Sequence, residues 1–359
     1  MPVVGRVDQV IITASPGDAI TSMAIEVRDA LRLRWNSDIY AMTVLPALRG
    51  DIFDLRDLPP TTPDNRIVYH SSYGEPAMTH TLLRRSESLI VAYHNLTPPE
   101  HFMAWDAELA RGVEWGRFEL GLLAARTDLA IADSTFNAQD LQQYGYSDVK
   151  VLPAGIRPGR LLHEPTDMPL RDDLEDRFPA GYVVVVAQLL PHKRIERVIE
   201  AVHLVRQTRE LDIGLVVVGS KRIAQYADVL ERYAAWLHVD RRWFTGSVTD
   251  RQLATVLRNA RVLVSASEHE GLSLPPIEAM SMGIPVVVRG AGAVPETVGN
   301  GAIVLPSTAG STLFAEALAS TILDDRVRAV TIHLGLERAA TLANQRSTDR
   351  FVELIEQMT

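Results

Sequence analysis

Two carboxylates, Glu270 and Glu278, stand eight positions apart in the segment SASEHEGLSLPPIEAMSMG, residues 265–283. An apolar run ends near Ser265, an acidic loop follows, and Pro275–Pro276 opens a helix. Proline is tolerated in a first helical turn because the N–H it lacks would be unpaired there. The backbone N–H groups of Gly271, Leu272, Ser273 and Leu274 then fall at or just before a helix N-terminus, a geometry that attracts a phosphate or a sugar oxygen. Glu270 precedes this turn and Glu278 lies one turn inside the helix, so one ligand could meet a carboxylate at each end. An unbroken helix would splay the two apart. Each acid also has a plain structural explanation, since the helix dipole favours Glu278 and Glu270 suits a solvated loop. The glycine, the two prolines and the position after a strand make the combination informative.

A second segment, VVVAQLLPHKRIERVIE at residues 184–200, runs from strand to turn to helix and carries Lys193 and Arg194 at the turn. Cations there are placed to meet an anion, and a basic helix start opposes the macrodipole, which tilts the balance toward function. Near the N-terminus, Ser15–Pro16–Gly17–Asp18 makes a tight turn with Asp18 as helix cap. His94 closes the strand SLIVAYH, and His70 closes RIVYH one strand earlier. A lone strand-end histidine is more often structural. The aromatics Phe102, Trp105, Trp115 and Phe118 are better explained as a buried helix face than as a sugar platform. No Ser/His/Asp order, metal-ligand spacing or DxD-type acidic pair is evident.

These residues need elements to position them. Short apolar runs at 9–14, 38–44, 66–70, 88–94, 128–133, 149–152, 182–188, 213–219, 243–245, 261–265, 284–289 and 302–305 alternate with amphipathic stretches such as 19–33, 194–207, 224–237 and 276–282. Several runs are continuous in Val and Ile, as in parallel strands buried on both faces. The alternation predicts βαβ units. At 359 residues the chain should form two domains, and DQVIITASPGDAITSMAIEVRDALR echoes GYVVVVAQLLPHKRIERVIEAVHLV as strand, turn and helix. The seam is expected in the proline- and charge-rich stretch 157–179, dividing an N-terminal domain 1–165 from a C-terminal domain 166–359, whose last helix is free to pack back on the first.

The net charge of −9 argues against a general nucleic-acid binder, and the absence of cysteine excludes disulfides and thiolate chemistry. That fits the cytoplasm, and no apolar stretch is long enough for a membrane span. Residues 1–165 hold 15 basic and 21 acidic side chains, which gives no support to a membrane-docking domain, although Arg84–Arg85 is a local basic pair. The oligomeric state is left open.

EGLSLPPIE followed by AMSMGIPVV, continuing into GAGAVPETVGNGAIVLP with Pro295–Glu296 and Gly301, resembles the signature of retaining glycosyltransferases of family 4. The C-terminal half is similar nearly throughout and the N-terminal half more loosely. The resemblance implies an α/β GT-B fold, two Rossmann-like doubly wound domains with the active site in the cleft between them. It implies that Glu270 contacts donor-sugar hydroxyls, that Glu278 binds the ribose diol, and that the amides of Gly271–Leu274 meet sugar and diphosphate. Lys193 matches the family lysine on the leaving diphosphate. Ala187 and Gln188 stand where the family has glycine and arginine, and Arg194 is a candidate for the missing charge. Gly17 matches a glycine-rich loop near the diphosphate, and His94 a strand-end histidine contacting the donor sugar. Val218–Gly219 and Gly246–Ser247–Val248 end strands where similar proteins hold the base. Ala154–Gly155–Ile156 resembles an asparagine–glycine turn, and Ser134 a family turn.

The activity so implied is transfer of a hexose, mannose or glucose among the candidates, from a nucleotide-diphosphate sugar to a saccharide, lipid-linked or small-molecule acceptor. It would retain configuration by front-face attack and need no metal or other cofactor. UDP, GDP and ADP all remain open as the donor nucleotide. The alternatives are a sugar phosphorylase or nucleotide-sugar epimerase on the same fold, or a non-catalytic two-lobed sugar-binding protein.

Overall fold

A computed structural model describes residues 5–153, 157–345 and 347–358. The turn expected at residues 154–156 lies outside the described residues. The chain divides into two units, Met1–Ile156 with Arg346–Thr359, and Arg157–Gln345.

The first unit is a seven-stranded parallel sheet built from β1 (Val7–Ala14), β2 (Ile39–Val44), β3 (Phe53–Asp54), β4 (Arg66–Ser71), β5 (Ser88–Tyr93), β6 (Thr127–Ala132) and β7 (Val149–Val151), in the order β3-β2-β1-β4-β5-β6-β7. The second is a six-stranded sheet of β8 (Tyr182–Val186), β9 (Gly214–Val218), β10 (Arg242–Gly246), β11 (Val262–Ser265), β12 (Val286–Arg289) and β13 (Ile303–Leu305), in the order β10-β9-β8-β11-β12-β13. Every pairing in both sheets is parallel. Continuous valine explains this in the second unit. YVVVV of β8 and GLVVV of β9 lie between helices and bury side chains on both faces, which an alternating strand could not do. Apolar runs in β4 and β5 do the same in the first unit.

In both sheets the strand order reverses beside the unit's first strand, between β1 and β4 and between β8 and β11. Ligands of open α/β sheets bind beyond the carboxyl ends of the strands at that reversal. The turns after β8 and β11 hold Lys193 and Glu270, so sheet topology alone brings the two motif segments together.

Two segments depart from a simple division near residue 165. Residues 157–165 belong with the second unit, where Arg258 donates to the carbonyls of Leu161, Leu162 and Glu164 at 2.8–3.0 Å. The last helix, Ser347–Glu356, belongs with the first. Its Phe351, Val352 and Ile355 are buried against Met23, Val27 and Leu31 of the helix Ala19–Leu31. Thr348 donates to Glu26 at 2.6 Å, and Arg34 pairs with Glu356. Removing three such apolar side chains from water contributes roughly 1.5–3 kcal/mol apiece.

Candidate functional site

β8 ends at Val186, and the chain turns through Ala187 and Gln188 into the short helical turn Pro191–Lys193 before the helix Ile195–Arg209. Gly219, after β9, allows this turn to lie close: a Cβ there would fall 1.8 Å from the Ala187 carbonyl oxygen. Arg194 joins the turn to the helix at φ +52°. Its guanidinium faces Glu196 and Glu268, each at 3.1 Å. The spare cation expected at Arg194 is therefore already balanced by two carboxylates. Gln188 is exposed.

β11 ends at Ser265, and the acidic loop that follows is held from three sides. The Glu268 N–H donates to the His192 carbonyl at 2.8 Å, joining the two motif turns. Arg289, buried at the end of β12, donates to the carbonyls of Ala266 at 2.9 Å and Ser307 at 2.6 Å. The Ala293 N–H donates to the Glu270 carbonyl at 2.9 Å, and Thr297 Oγ1 to the Leu272 carbonyl at 2.6 Å. Gly292 is required at this approach, because at φ +57° a Cβ would lie 2.4 Å from the Glu270 carbonyl oxygen.

Ser273 then caps the helix Leu274–Ser281 from the left-handed region, φ +74°, with proline in the first turn. A non-glycine residue there costs about 1–3 kcal/mol and persists only where its surroundings impose it. Three of the five non-glycine residues with positive φ among the described residues are Asn95, Arg194 and Ser273, each in a turn after a strand. Among the described residues, no protein acceptor takes the N–H of Gly271, Leu272, Ser273 or Leu274.

Both motif glutamates are paired. Lys193 Nζ donates to Glu270 Oε1 at 2.8 Å, the side chains only 18% and 13% exposed. Glu278 receives two bonds from Arg160, Nη2 at 2.7 Å and Nε at 3.2 Å, both on Oε1. Arg160 also pairs with Asp250. Burial pushes the Glu278 carboxyl above its ordinary range, and the Arg160 guanidinium opposes that shift. Val248 lies beyond the end of β10, where Gly246 accepts from the Gly219 N–H at 3.0 Å.

The first unit presents a different arrangement. Gly17 is exposed in the turn after β1, and Asp18 caps the next helix by accepting from the Thr21 N–H at 2.8 Å. Register places the ends of β1, β4, β5 and β6 side by side. His94 Nδ1 lies 2.8 Å from Asp133 Oδ2, and His94 Nε2 2.9 Å from His70 Nδ1. His70 Nε2 in turn lies 2.8 Å from Gln9 Oε1. Both ring nitrogens of His94 are thus occupied inside the protein, and neither is open to a sugar hydroxyl in this state. Burial pushes His70 well below the ordinary imidazole range, with the neighbouring His94 acting in the same direction. Ser134 caps the helix Thr135–Gln142, accepting from the Asn137 N–H at 3.1 Å.

Arg160, Arg289, Gln9 and Asp133 were not singled out from sequence. Arg160 is 118 positions from Glu278 in a stretch with little periodicity. Gln9 and Arg289 did carry a signal, as polar residues within or ending apolar strands. Among the described residues, no group of three or more metal-ligating side chains is gathered, and no helix is long and apolar enough to cross a membrane.

Residues 175–335, which span both motif turns, match the family described as Glycosyl transferases group 1. That stretch is a glycosyl transferases group 1 domain. The chain is 29% identical over 178 residues to the O-antigen chain mannosyltransferase B of Escherichia coli, covering 48% of this chain and 45% of that protein. It is 31% identical over 134 residues to the MMP alpha-(1->4)-mannosyltransferase of Mycolicibacterium hassiacum, 37% of this chain and 31% of that one. The chain thus spans less than half the length of these relatives. In structure, Anabaena Alr3699/HepE in complex with UDP-glucose superposes with a TM-score of 0.74 at 16% identity, over 99% of this chain and all of that one. WaaG, a glycosyltransferase involved in lipopolysaccharide biosynthesis, superposes at 0.73 and 14% identity, over 97% and 99% of the two chains. The fold around the group 1 domain is that of the GT-B glycosyltransferases, with two parallel Rossmann-like sheets.

Proposed function

We propose that this chain is a retaining glycosyltransferase of family 4 that transfers a hexose from a nucleotide-diphosphate sugar to a saccharide, lipid-linked or small-molecule acceptor. The observation that carries the proposal is the Lys193–Glu270 pair beside four unengaged amides at the strand-order reversal of the group 1 domain. A cation, a carboxylate and a cluster of N–H groups match the three parts of a sugar diphosphate's reacting end.

The Glu270 carboxylate accepts from sugar hydroxyls and orients the ring. Lys193 and the amides of Gly271–Leu274 take the diphosphate, and Glu278, one oxygen already held by Arg160, offers the other to the ribose diol. Gln188, Arg194 and Val248 border the donor. The bond from the anomeric carbon to phosphate oxygen breaks, and the nucleoside diphosphate leaves with the electron pair. The acceptor oxygen bonds the anomeric carbon from the same face and gives its proton to the leaving phosphate. Lys193 and the amides stabilise the charge where it develops, so no metal is required.

Mannose is the first sugar to test, on the strength of the relatives' names, and glucose the second. The protein should release nucleoside diphosphate from GDP-mannose or UDP-glucose in an acceptor-dependent manner, with excess chelator present, and NMR should show an α-linked product. Turnover that requires inorganic phosphate would identify a phosphorylase instead. Donor binding with no transfer across a broad acceptor panel would identify a binding protein.

A further inference from the structure

Arg160 reaches the second unit's site from outside both motif segments. It opens the short helical turn Arg160–His163, whose backbone is fixed independently of the Arg160 side chain. Leu161 is buried there, and the Arg258 guanidinium holds the carbonyls of Leu161, Leu162 and Glu164. From this anchored turn the Arg160 side chain bridges two helices. It meets Asp250 at the start of Asp250–Asn259 and Glu278 within Leu274–Ser281.

The contact with Glu278 is one-sided. A guanidinium and a carboxylate frequently pair as a fork, with one N–H on each oxygen. Here Nη2 and Nε both donate to Oε1, at 2.7 and 3.2 Å, and among the described residues no donor reaches Oε2. Asp250 takes the remaining nitrogen, Nη1, so the guanidinium is held from both sides in the orientation that leaves Oε2 open. Glu278 thus has one spent oxygen and one open oxygen in a side chain only 15% exposed. A carboxylate free to turn can pair with water or a single hydroxyl in many poses. One that is held, with a single open oxygen in a mostly buried place, gains most from hydroxyls delivered at that point. It stays unpaired when they are missing, and such a site rejects the ligand that lacks them.

We infer that Arg160 is a specificity-determining positioning residue: by holding Oε1 it makes Glu278 select a nucleotide that carries a ribose diol over one whose sugar lacks it. The inference rests on the glycosyltransferase reading, in which Glu278 faces the ribose. Arg160 acts through Glu278 and not on the nucleotide, and Asp250 keeps it in place.

The test is titration calorimetry of the full chain with UDP and GDP, each set against its 2′,3′-dideoxy analogue. The wild type should bind one of the two ribonucleotides at least about tenfold more tightly than its analogue, about 1.4 kcal/mol. Arg160→Ala should bring that ratio to within about twofold, chiefly by weakening the ribonucleotide. Arg160→Lys keeps the charge without the planar guanidinium and should fall between. Glu278→Gln should lower the ratio as far as Arg160→Ala does, and combining the two should change it no further, as expected of residues that act as one. A ratio unchanged in Arg160→Ala overturns the inference, as does a further change in the double variant. A wild-type chain that binds both forms equally, or neither, overturns it too. Sugar transfer is not needed for this measurement. The expected ratios in a chain that transfers no sugar refute the transfer reading alone, and a chain that transfers sugar with a ratio indifferent to Arg160→Ala refutes this inference alone.

Discussion

The two sheets share a strand order and place their polar residues at the same reversal of topology, yet they use opposite chemistry there. In the second unit the residues in and around the strand-end turns form ion pairs, Lys193 with Glu270, Arg160 with Glu278, and Arg194 with Glu196 and Glu268. The first unit carries one buried hydrogen-bonded chain, from Gln9 within β1 through His70 and His94 to Asp133 at the ends of β4, β5 and β6. The Arg194 pairs, 24–35% exposed, are partly screened by solvent and free to exchange partners. A buried chain has no such freedom, since each member left unpaired costs the full desolvation of a polar group. The second unit thus holds ion pairs at these turns, and the first a fixed hydrogen-bonded arrangement.

The largest break in this contrast should come from Lys193→Ala or Glu270→Ala. Each should lower kcat about 10²–10³-fold, the usual cost of a lost transition-state contact, with an unchanged circular dichroism spectrum. Near-wild-type rates in both would remove the mechanism. A smaller effect is expected at Gly292→Ala, where the new Cβ must displace the Glu270 carbonyl from a 2.4 Å approach. Turnover should fall about tenfold, and stability by about 1–3 kcal/mol, the cost of a strained backbone position. Wild-type kcat and melting temperature would mean that the Gly292 contact does not position Glu270.

Arg160→Ala should change pH dependence more than maximum rate. Burial raises the Glu278 carboxyl and Arg160 opposes this, so without the arginine Glu278 protonates at higher pH. The acidic limb of donor binding, followed by calorimetry, should move upward in pH. An unmoved limb would separate Arg160 from Glu278 function.

The smallest effect on activity belongs to the first unit's interior. Glu119 is fully buried beneath Tyr69 and Thr79, and burial raises its carboxyl to about 7 against the pull of those two hydroxyls. With the folded value above the unfolded one, the stability is fully present below about pH 4.5 and is lost as pH rises through about 7. The loss is about 3 kcal/mol on linkage arithmetic. Glu119→Gln should therefore lose less stability than the wild type between pH 5 and pH 8 in thermal melts, with turnover unchanged. Parallel pH curves for the two proteins would contradict this.

The contrast also explains what was legible from sequence. Twelve of the thirteen strands announce themselves as apolar runs with boundaries within two residues, because parallel strands between helices need apolar side chains on both faces. β3, two residues long with Phe53 partly exposed, has no such run. Lys193 and Glu270 were each legible because each lies in a turn whose glycines, prolines and charges are local signals; their pairing was not. Arg160 was not, since its partner lies far along the chain. Gln9 and Asp133 escaped for a related reason: the chain they build takes one residue from each of four strands or the turns after them, and no window of sequence contains it. His94 was visible as a strand-end histidine, but its occupied ring nitrogens exist only in three dimensions.

The central claim is that the second unit grips a nucleotide-diphosphate sugar through Lys193, and titration calorimetry tests it most directly. GDP-mannose and UDP-glucose should each be titrated into the wild-type chain and into Lys193→Ala. The account predicts saturable binding of one donor by the wild type, weakened at least about tenfold in the variant, the 1.4 kcal/mol expected of a charge-assisted phosphate contact. Equal affinity in the two proteins, or no binding of either donor by the wild type, would contradict it.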